Sequence, residues 1–268
     1  DHSAYYELYK LTGNGLDEMQ AVMRGDNHNY IELALSYMTA YLTEDAIEIL
    51  KLAPNDNEPM VHYYLYALTN DKSELDKAEN SESLYCFPNR LEDIAVLEKA
   101  IYNGGNYAAY YLGCLFYDKG RWEESKELWE KCADNIKLPT VYRNLSLVYY
   151  NKLKDGVLAL KAMEKAFSID KSDARIFFEL DQLYKTLNFS LEKRLANMNE
   201  NSDLLEKRDD LYTEYITLLN MNGEYDNAYN RIMNHNFHPW EGGEGKIPAQ
   251  YRIALINKAK AEKNTEKA

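Results

Sequence analysis

The stretch YYLGCLFYDKGRWEESKELWEKC, residues 110–132, recurs in altered form as YRNLSLVYYNKLKDGVLALKAMEKA, residues 142–166. Both stretches place a leucine and a small residue in an apolar helix-like segment, with an aromatic residue one helical turn later. A second helix-like segment follows each after a short break. Helix–turn–helix units of this length bury their apolar stripes by stacking on one another. The repetition therefore predicts an all-α chain of stacked helix pairs.

A leucine followed by a small or polar residue marks each repeat: Leu112-Gly113, Leu145-Ser146 and Leu180-Asp181. The steps between these landmarks are 33 and 35 residues. In the second helices, Ser125 and Ala159 fall where the two helices of a pair must approach closely. This pattern is similar to the tetratricopeptide repeat. The resemblance implies an all-α, tetratricopeptide-repeat-like helix-turn-helix superhelix, an α-solenoid, which we expect to extend as a single domain over residues 1–268.

Two segments interrupt the repeat pattern. Residues 70–90 are mostly polar and end near a Phe-Pro pair, which predicts an irregular connector between helices. Residues 235–247 are predicted to form a special loop, followed by a capping helix from about residue 248 to about residue 262. The connector lacks the Gly and Ser content of a free linker, so we expect no domain boundary there.

The formal net charge of the 268-residue chain is −13. Nucleic acids and anionic membrane surfaces would repel such a chain, so neither is expected as a partner. No apolar run approaches the roughly 20 residues that span a membrane, and we expect no membrane insertion. Proteins with basic or neutral surfaces, and neutral carbohydrates, are compatible with this charge.

The three cysteines are Cys86, Cys114 and Cys132, and no two of them form a CxxC pair. This number and spacing argue against a disulfide framework or a zinc ribbon and favour a reducing compartment, so we expect a cytoplasmic location. The chain opens at Asp1 without an initiator methionine, and we expect it to be a fragment of a longer protein.

The first helix of each pair should line the concave face of a stacked-helix protein. Counting from the landmark leucines gives an aromatic and basic set on this face: Tyr107, Tyr110, Tyr117, Arg143, Tyr150, Arg175, Phe178 and Gln182. Arginine forks and tyrosine rings suit an extended peptide or loop that carries a carboxylate. The alternative is that these side chains only cover a solvated groove. The carboxylate clamp of chaperone-binding tetratricopeptide proteins is not expected, because Tyr110 and Cys114 occupy its lysine and asparagine positions.

The stretch FHPWEGGEGK, residues 237–246, differs in composition from the rest of the chain. Its candidate contact residues, for a sugar or for a domain absent from this chain, are His238, Trp240, Glu241 and Glu244. The alternative is a structural turn, in which the glycines allow left-handed conformations and Trp240 fills the last groove between helices. Two closely spaced glutamates do not ensure the carboxylate separation that a glycosidase needs, so no catalytic residue is predicted.

Nucleotide and metal sites are not predicted in this stretch either. Trp240 and Ile247 stand where a Walker A loop needs a glycine and a serine or threonine. His235 and His238 could form a metal-binding pair on a helix, but the proline that follows His238 disfavours regular helix there, and no third ligand is evident. We therefore expect no metal and no cofactor.

Six stretches in fixed order carry a closer resemblance: FPNRLEDIAVLEKAI (87–101), YYLGCLFYDKGRWEES (110–125), YRNLSLVYYNK (142–152), ARIFFELDQLYK (174–185), KRDDLYTEYITLLN (207–220) and FHPWEGGEGK (237–246). Together they resemble the repeat region of the bacterial DUF5107-domain family. The resemblance implies that this chain is the C-terminal repeat half of such a protein. It also implies a preceding β-rich domain, similar to sugar-handling β-sandwiches.

Three functional hypotheses follow from these patterns. The first is a non-enzymatic scaffold that docks a protein, a peptide or a neighbouring domain in its concave groove. The second is the helical half of a bacterial carbohydrate-active protein, in which the loop 238–245 completes a sugar site on the absent β-rich domain. The third is a repeat protein that self-associates through its ends. The segment KRDD, residues 207–210, is predicted either to form a buried ion pair that braces the C-terminal repeats or to be a solvated helix start.

Overall fold

The computed structural model of the protein describes residues 1–54, 57–81, 85–238 and 243–265. These residues form 17 α-helices and no β-strand. The helices are α1 (His2–Thr12), α2 (Leu16–Met23), α3 (Asn27–Thr39), α4 (Thr43–Lys51), α5 (Pro59–Thr69), α6 (Lys72–Asn80), α7 (Leu91–Tyr102), α8 (Asn106–Asp118), α9 (Trp122–Cys132), α10 (Pro139–Asn151), α11 (Gly156–Ile169), α12 (Ala174–Thr186), α13 (Leu191–Glu200), α14 (Ser202–Leu205), α15 (Asp209–Met221), α16 (Tyr225–Asn234) and α17 (Lys246–Thr265). Successive helices pack in pairs, which confirms the predicted all-α, tetratricopeptide-repeat-like fold.

The helices group into two compact units, residues 1–137 and residues 138–268. The first unit contains α1 to α9, and the second contains α10 to α17. The predicted continuity of one solenoid over residues 1–268 stays a prediction. Among the helices described, none combines the length and the apolar content that a membrane span requires.

In the first unit, α8 and α9 approach each other closely at Gly113. A Cβ atom built on Gly113 would lie 2.6 Å from Cδ1 of the Trp129 indole, closer than two carbon atoms can pack. Ser125 Oγ donates a hydrogen bond of 2.7 Å to the Gly113 carbonyl, and Trp129 Nε1 donates one of 3.1 Å to the Tyr110 carbonyl. The small residues that the repeat pattern places at this crossing therefore allow the Trp129 indole to pack closely against α8.

Helix α6 lies inside the predicted irregular connector, so that prediction is wrong for Lys72–Asn80. The Asp71 carboxylate caps this helix by accepting a hydrogen bond of 2.9 Å from the Ser73 N–H. Leu75 and Ala78 are the two buried side chains of α6. The other residues of α6 are polar, and this composition is typical of a loop even though Leu75 and Ala78 lie on one face of a helix.

Glu79, in the last turn of α6, caps the N-terminus of α8 from outside that helix. Its carboxylate accepts hydrogen bonds from the N–H groups of Asn106, Tyr107 and Ala108 at 2.8, 2.9 and 3.1 Å, and from the Tyr63 hydroxyl at 2.6 Å. The N-cap residue of α8 is a glycine, which has no side chain to supply these acceptors. The carboxylate also complements the positive end of the helix dipole. Helix α6 therefore fixes the position of α8.

In the second unit, α10, α12 and α15 are the first helices of three successive pairs, and α11, α13 and α16 are their partners. Asp155 and Asp173 cap α11 and α12, because each carboxylate accepts hydrogen bonds from two N–H groups of the following turn. The last helix, α17, packs on α15 and α16 and buries Ala254. It begins two residues before the predicted start and includes the end of the predicted loop 235–247.

Candidate functional site

The three predicted groove tyrosines of the first unit, Tyr107, Tyr110 and Tyr117, lie half-buried on α8. The ring centroids of Tyr107 and Tyr110 are 6.4 and 5.4 Å from that of the buried Tyr111, and the Tyr117 centroid is 5.8 Å from that of Trp129. Burial raises the pKa of Tyr107 and Tyr110, so both hydroxyls stay protonated near neutral pH. Each of these tyrosines is therefore held in place by a buried aromatic ring of the core.

The two predicted groove arginines of the second unit meet at Glu179. Arg143 donates from Nε and Nη2 to the Glu179 carboxylate at 2.5 and 2.6 Å, and Arg175 Nε donates to the same carboxylate at 3.2 Å. The bidentate geometry satisfies the guanidinium fork of Arg143. Both arginines were expected to face the carboxylate of a ligand, whereas in the structure both bind Glu179 of the same unit.

A pocket of about 210 Å³ lies between the first helices α10 and α12. Two predicted groove residues, Tyr150 and Gln182, line it from opposite helices. Its remaining lining is largely apolar and includes Leu147, Met163 and Leu183. A pocket of this size and composition can hold one large apolar side chain.

A second pocket, of about 220 Å³, lies between α12, α15 and α17. Phe178 and Gln182 line it on α12, and Lys185 and Lys246 contribute two cations. The remaining lining residues are polar or charged: Asp210, Thr213, Glu214, Thr217 and Gln250. Because Gln182 lines both pockets, they are neighbours on one surface of the second unit. We call this surface, formed by the two pockets, the Gln182 face.

A buried ionic network underlies the Gln182 face. Arg194, on α13, donates from Nε and Nη2 to the two Asp181 oxygens at 3.0 and 2.6 Å. Arg194 Nη2 also donates to Glu214 at 2.8 Å, and Lys185 Nζ donates to the same Glu214 oxygen at 2.8 Å. The network therefore connects α12, α13 and α15 through side chains that lie against one of the two pockets.

The two carboxylates of this network have opposite pKa shifts. Burial raises the pKa of Asp181, although the bond to Arg194 opposes that change. Burial also acts to raise the pKa of Glu214, but hydrogen bonds from Lys185 and Arg194 outweigh it and lower this pKa. Neither Asp181 nor Arg194 was a predicted site residue. The signal that could have found them is the acidic residue at a landmark position that holds glycine or serine in the two preceding repeats.

His235 and His238 meet at Asp209, the first residue of α15. His235 Nε2 lies 2.7 Å from Asp209 Oδ1, and the His238 N–H and Nδ1 lie 2.5 and 3.1 Å from Oδ2. The His235 ring stacks on Tyr212 with a centroid distance of 4.1 Å, and Phe237 meets its edge at 4.6 Å. These contacts anchor the start of the special loop on the first turn of α15 and use both histidines for that purpose.

Of the predicted loop contacts, Trp240 and Glu241 lie outside the described residues. His238 has an exposed ring that faces Asp209, and Glu244 is exposed just before α17. A sugar site completed by this loop therefore stays a prediction. Among the described His, Cys, Asp and Glu side chains, no group of three is arranged to hold a metal ion.

The KRDD segment divides its acidic residues between two roles. Arg208 donates from Nε and Nη2 to the Asp210 carboxylate at 3.0 and 2.7 Å. The Arg208 side chain is 39% exposed and that of Asp210 is 20% exposed, so this pair is neither fully buried nor fully solvated. Asp209 is the bracing residue instead, because it holds the 235–238 segment.

No protein-family model matches the chain, so the resemblance to the DUF5107-domain family stays a prediction. A structure of Pseudomonas aeruginosa PilF is 18% identical over 77% of this chain and 89% of its own, with a TM-score of 0.44. YrrB, described as a tetratricopeptide-repeat protein with an unusual peptide-binding site, is 16% identical over 76% of this chain and 94% of its own, with a TM-score of 0.44. MamA from Desulfovibrio magneticus RS-1 is 15% identical over 68% of this chain and 97% of its own, with a TM-score of 0.40. At such identities the likeness concerns the fold alone.

Proposed function

We propose that this protein is a non-enzymatic interaction scaffold that binds a peptide or loop of a partner protein on the Gln182 face. The observation that carries this proposal is that two pockets of different character meet at Gln182. One is largely apolar and the other is polar with two lysines. A bound chain that runs across successive first helices would place neighbouring side chains in the two pockets.

The composition of each pocket indicates what the partner segment should contain. The pocket beside Tyr150 suits a leucine, methionine or phenylalanine side chain, since its lining is mostly apolar. The pocket beside Lys246 suits a polar side chain, because two ammonium groups and the carboxylates of Asp210 and Glu214 line it together. Arg143 binds Glu179 and so stabilises this surface, and we do not assign its guanidinium to the ligand.

The carboxylates near the Gln182 face are engaged in ion pairs within the unit, and this favours a binding role over catalysis. Asp181 and Glu214 bind Arg194, and Glu179 binds Arg143. A general acid or base needs a proton that it can exchange with a substrate in the pocket. Carboxylates engaged in internal ion pairs instead stabilise the helices that form the Gln182 face.

The tyrosines of α8 are a separate part of the same proposal, confined to the first unit. Tyr107, Tyr110 and Tyr117 have rings fixed by packing, so little side-chain entropy is lost when a ligand contacts them. We propose that they provide a second contact surface for a polypeptide ligand. The Gln182 face remains the principal site because its pockets are the better defined.

The proposal can be tested with peptides selected by display against the whole chain and measured by isothermal titration calorimetry. We expect Tyr150→Ala with Gln182→Ala to weaken binding by about tenfold or more, as for the truncation of central contact residues. The matched control is Tyr225→Ala with Asn230→Ala, which removes the same kinds of group on α16, away from both pockets.

The control pair should leave the affinity within about twofold of the unaltered chain. Far-ultraviolet circular dichroism should show the same helix content for both double variants. If selected peptides bind the Tyr150 and Gln182 variant as tightly as the unaltered chain, the Gln182 face is not the binding surface.

A further inference from the structure

A groove in the first unit lies between the second helices α7 and α9, with α8 below them. Its volume is about 450 Å³, and Leu112, Phe116 and Leu128 form an apolar floor. Glu98 and Glu127 stand on opposite rims, on α7 and α9 respectively. We call this surface the α7–α9 groove. It combines an apolar floor with acidic walls.

This groove is separate from the tyrosine surface on α8. Leu112 follows Tyr110 by two residues, which places it about 200° further around the helix. Leu112 therefore points away from Tyr110. Within the first unit, the α7–α9 groove is therefore a different surface from the one that carries Tyr110.

The groove already binds one cation of its own chain. The Arg121 guanidinium carbon lies 3.7 Å from the centroid of the Phe116 ring. Arg121 Nε donates to Glu124 Oε2 at 2.6 Å, and its Nη2 donates to the other oxygen of that carboxylate. A guanidinium that stacks on an aromatic ring and is paired with a carboxylate is a favourable combination. The chemistry for holding an arginine is thus present at one end of the groove.

The remaining rim offers further groups of the same kinds, namely an exposed aromatic ring and two exposed carboxylates. Tyr102 is 90% exposed, so its ring face is available beside Glu98. In the described part of the chain, neither Glu98 nor Glu127 forms a salt bridge, and both are exposed. Lys131 lies on the same rim, so the local charge of Glu98, Glu127 and Lys131 together is still negative.

We propose that the α7–α9 groove binds a segment of a partner protein in which an arginine or lysine lies one helical turn from a large apolar side chain. The apolar side chain would contact Leu112 and Leu128, and the cation would reach Glu98, Glu127 and the Tyr102 ring. Charge complementarity identifies this occupant, because an acidic rim around an apolar floor disfavours acidic or wholly apolar segments. The net charge of −13 adds a long-range attraction for a basic segment.

The test uses a fluorescein-labelled amphipathic peptide of leucine, arginine and alanine, with leucines on one helical face and arginines beside them. Its binding to the whole chain is measured by fluorescence anisotropy. We expect Glu98→Gln with Glu127→Gln to weaken binding by about tenfold, since both charges sit beside the bound arginines. Tyr102→Ala should weaken it by about threefold. These substitutions are at exposed helix positions, so the fold should be retained.

The matched control is Glu92→Gln with Glu123→Gln, which removes the same charge from the same two helices outside the groove. This pair, and the Tyr150 and Gln182 variant, should leave the affinity within about twofold of the unaltered chain. A second peptide, with the leucines replaced by serine at equal charge, should bind about tenfold more weakly.

Three results would overturn the proposal. If the control pair weakens binding as much as the Glu98 and Glu127 pair, or if the serine peptide binds equally well, the attraction is diffuse and the groove is not the site. If the chain self-associates in analytical ultracentrifugation and the Glu98 and Glu127 pair abolishes this, the occupant is a second copy of the chain rather than a different partner.

Discussion

The buried pair between Asp181 and Arg194 predicts a large and pH-dependent loss of stability on Arg194→Met. The two side chains are 0% and 6% exposed, so Asp181 has no solvent to replace its partner. Removing one member of such a pair costs about 3–5 kcal/mol, because it leaves a buried charge uncompensated. Methionine keeps much of the packing volume of the arginine stem, so the loss should be mainly electrostatic.

A second substitution separates the electrostatic cost from simple loss of contacts. Asp181→Ala combined with Arg194→Met removes both charges. We expect the free energy of unfolding of this double variant to lie within about 1–2 kcal/mol of that of the unaltered chain. Arg143→Met is the matched control, since it breaks an arginine–carboxylate pair whose side chains are 18% and 23% exposed. Solvent can partly replace that lost partner. Arg143→Met should therefore lower the free energy of unfolding by about 1 kcal/mol, clearly less than Arg194→Met.

The stability loss caused by Arg194→Met should depend on pH, and the direction of this dependence follows from the pKa of Asp181. Burial already raises the pKa of Asp181 in the unaltered protein, and loss of Arg194 must raise it further. The folded Arg194→Met variant therefore binds protons more readily than the folded unaltered chain. Its stability deficit should narrow as the pH falls through the raised pKa of Asp181 and be largest near neutral pH.

Urea unfolding followed by circular dichroism, repeated from about pH 7 to about pH 4, measures this deficit. Each of the two units is to be fitted with its own transition if the curves show two. A deficit of less than about 1 kcal/mol at neutral pH would refute the assignment of Asp181 as a buried, ionised carboxylate. A deficit that does not change with pH would refute it equally.

Two further predictions concern other packing contacts. Gly113→Ala should destabilise the first unit by about 1–3 kcal/mol, because the new Cβ overlaps the Trp129 indole, and an unchanged urea midpoint would show that the indole can move away. Asp209→Asn should reduce the acid dependence of stability: burial acts to raise the pKa of Asp209, but hydrogen bonds from His235 and His238 lower it overall. Asp209 therefore contributes stability above its unfolded pKa that is lost as the pH falls through its folded pKa, and urea midpoints across the acid range should show this loss only with aspartate.

The close crossing of α8 and α9 was predictable because its cause is local. Two helices can cross this closely only where one has no side chain and the other has a small one. Gly113 and Ser125 are such residues, and both can be recognised in the sequence. Helix α6 was not predictable from the same signals. It is held by its capping Asp71 and by the long-range contacts of Glu79, and its polar composition does not reveal these contacts.

The grouping of Tyr150, Phe178 and Gln182 on one surface was predictable from the sequence, whereas the partner of Arg143 was not. Counting from the landmark leucines placed Tyr150, Phe178 and Gln182 on one face, and the structure groups them around the two pockets. The same spacing predicted an unpaired guanidinium for Arg143, because spacing along one helix does not show which residue of the next first helix lies opposite. Glu179 occupies that place from the following repeat, and only the packing of α10 against α12 reveals it.

The third repeat replaces the close crossing of the first with an ion pair, and this exchange bears on the proposed site. Asp181 and Arg194 stand in register with Gly113 and Ser125, but they separate the helices with a paired charge instead of a contact between small residues. A buried ion pair is weak as a source of stability, so stability alone does not account for it. Arg194 also bonds to Glu214, which lines the polar pocket and holds Lys185 beside it. The network therefore fixes the positions of two pocket residues, which would lower the ordering cost of the binding proposed for the Gln182 face.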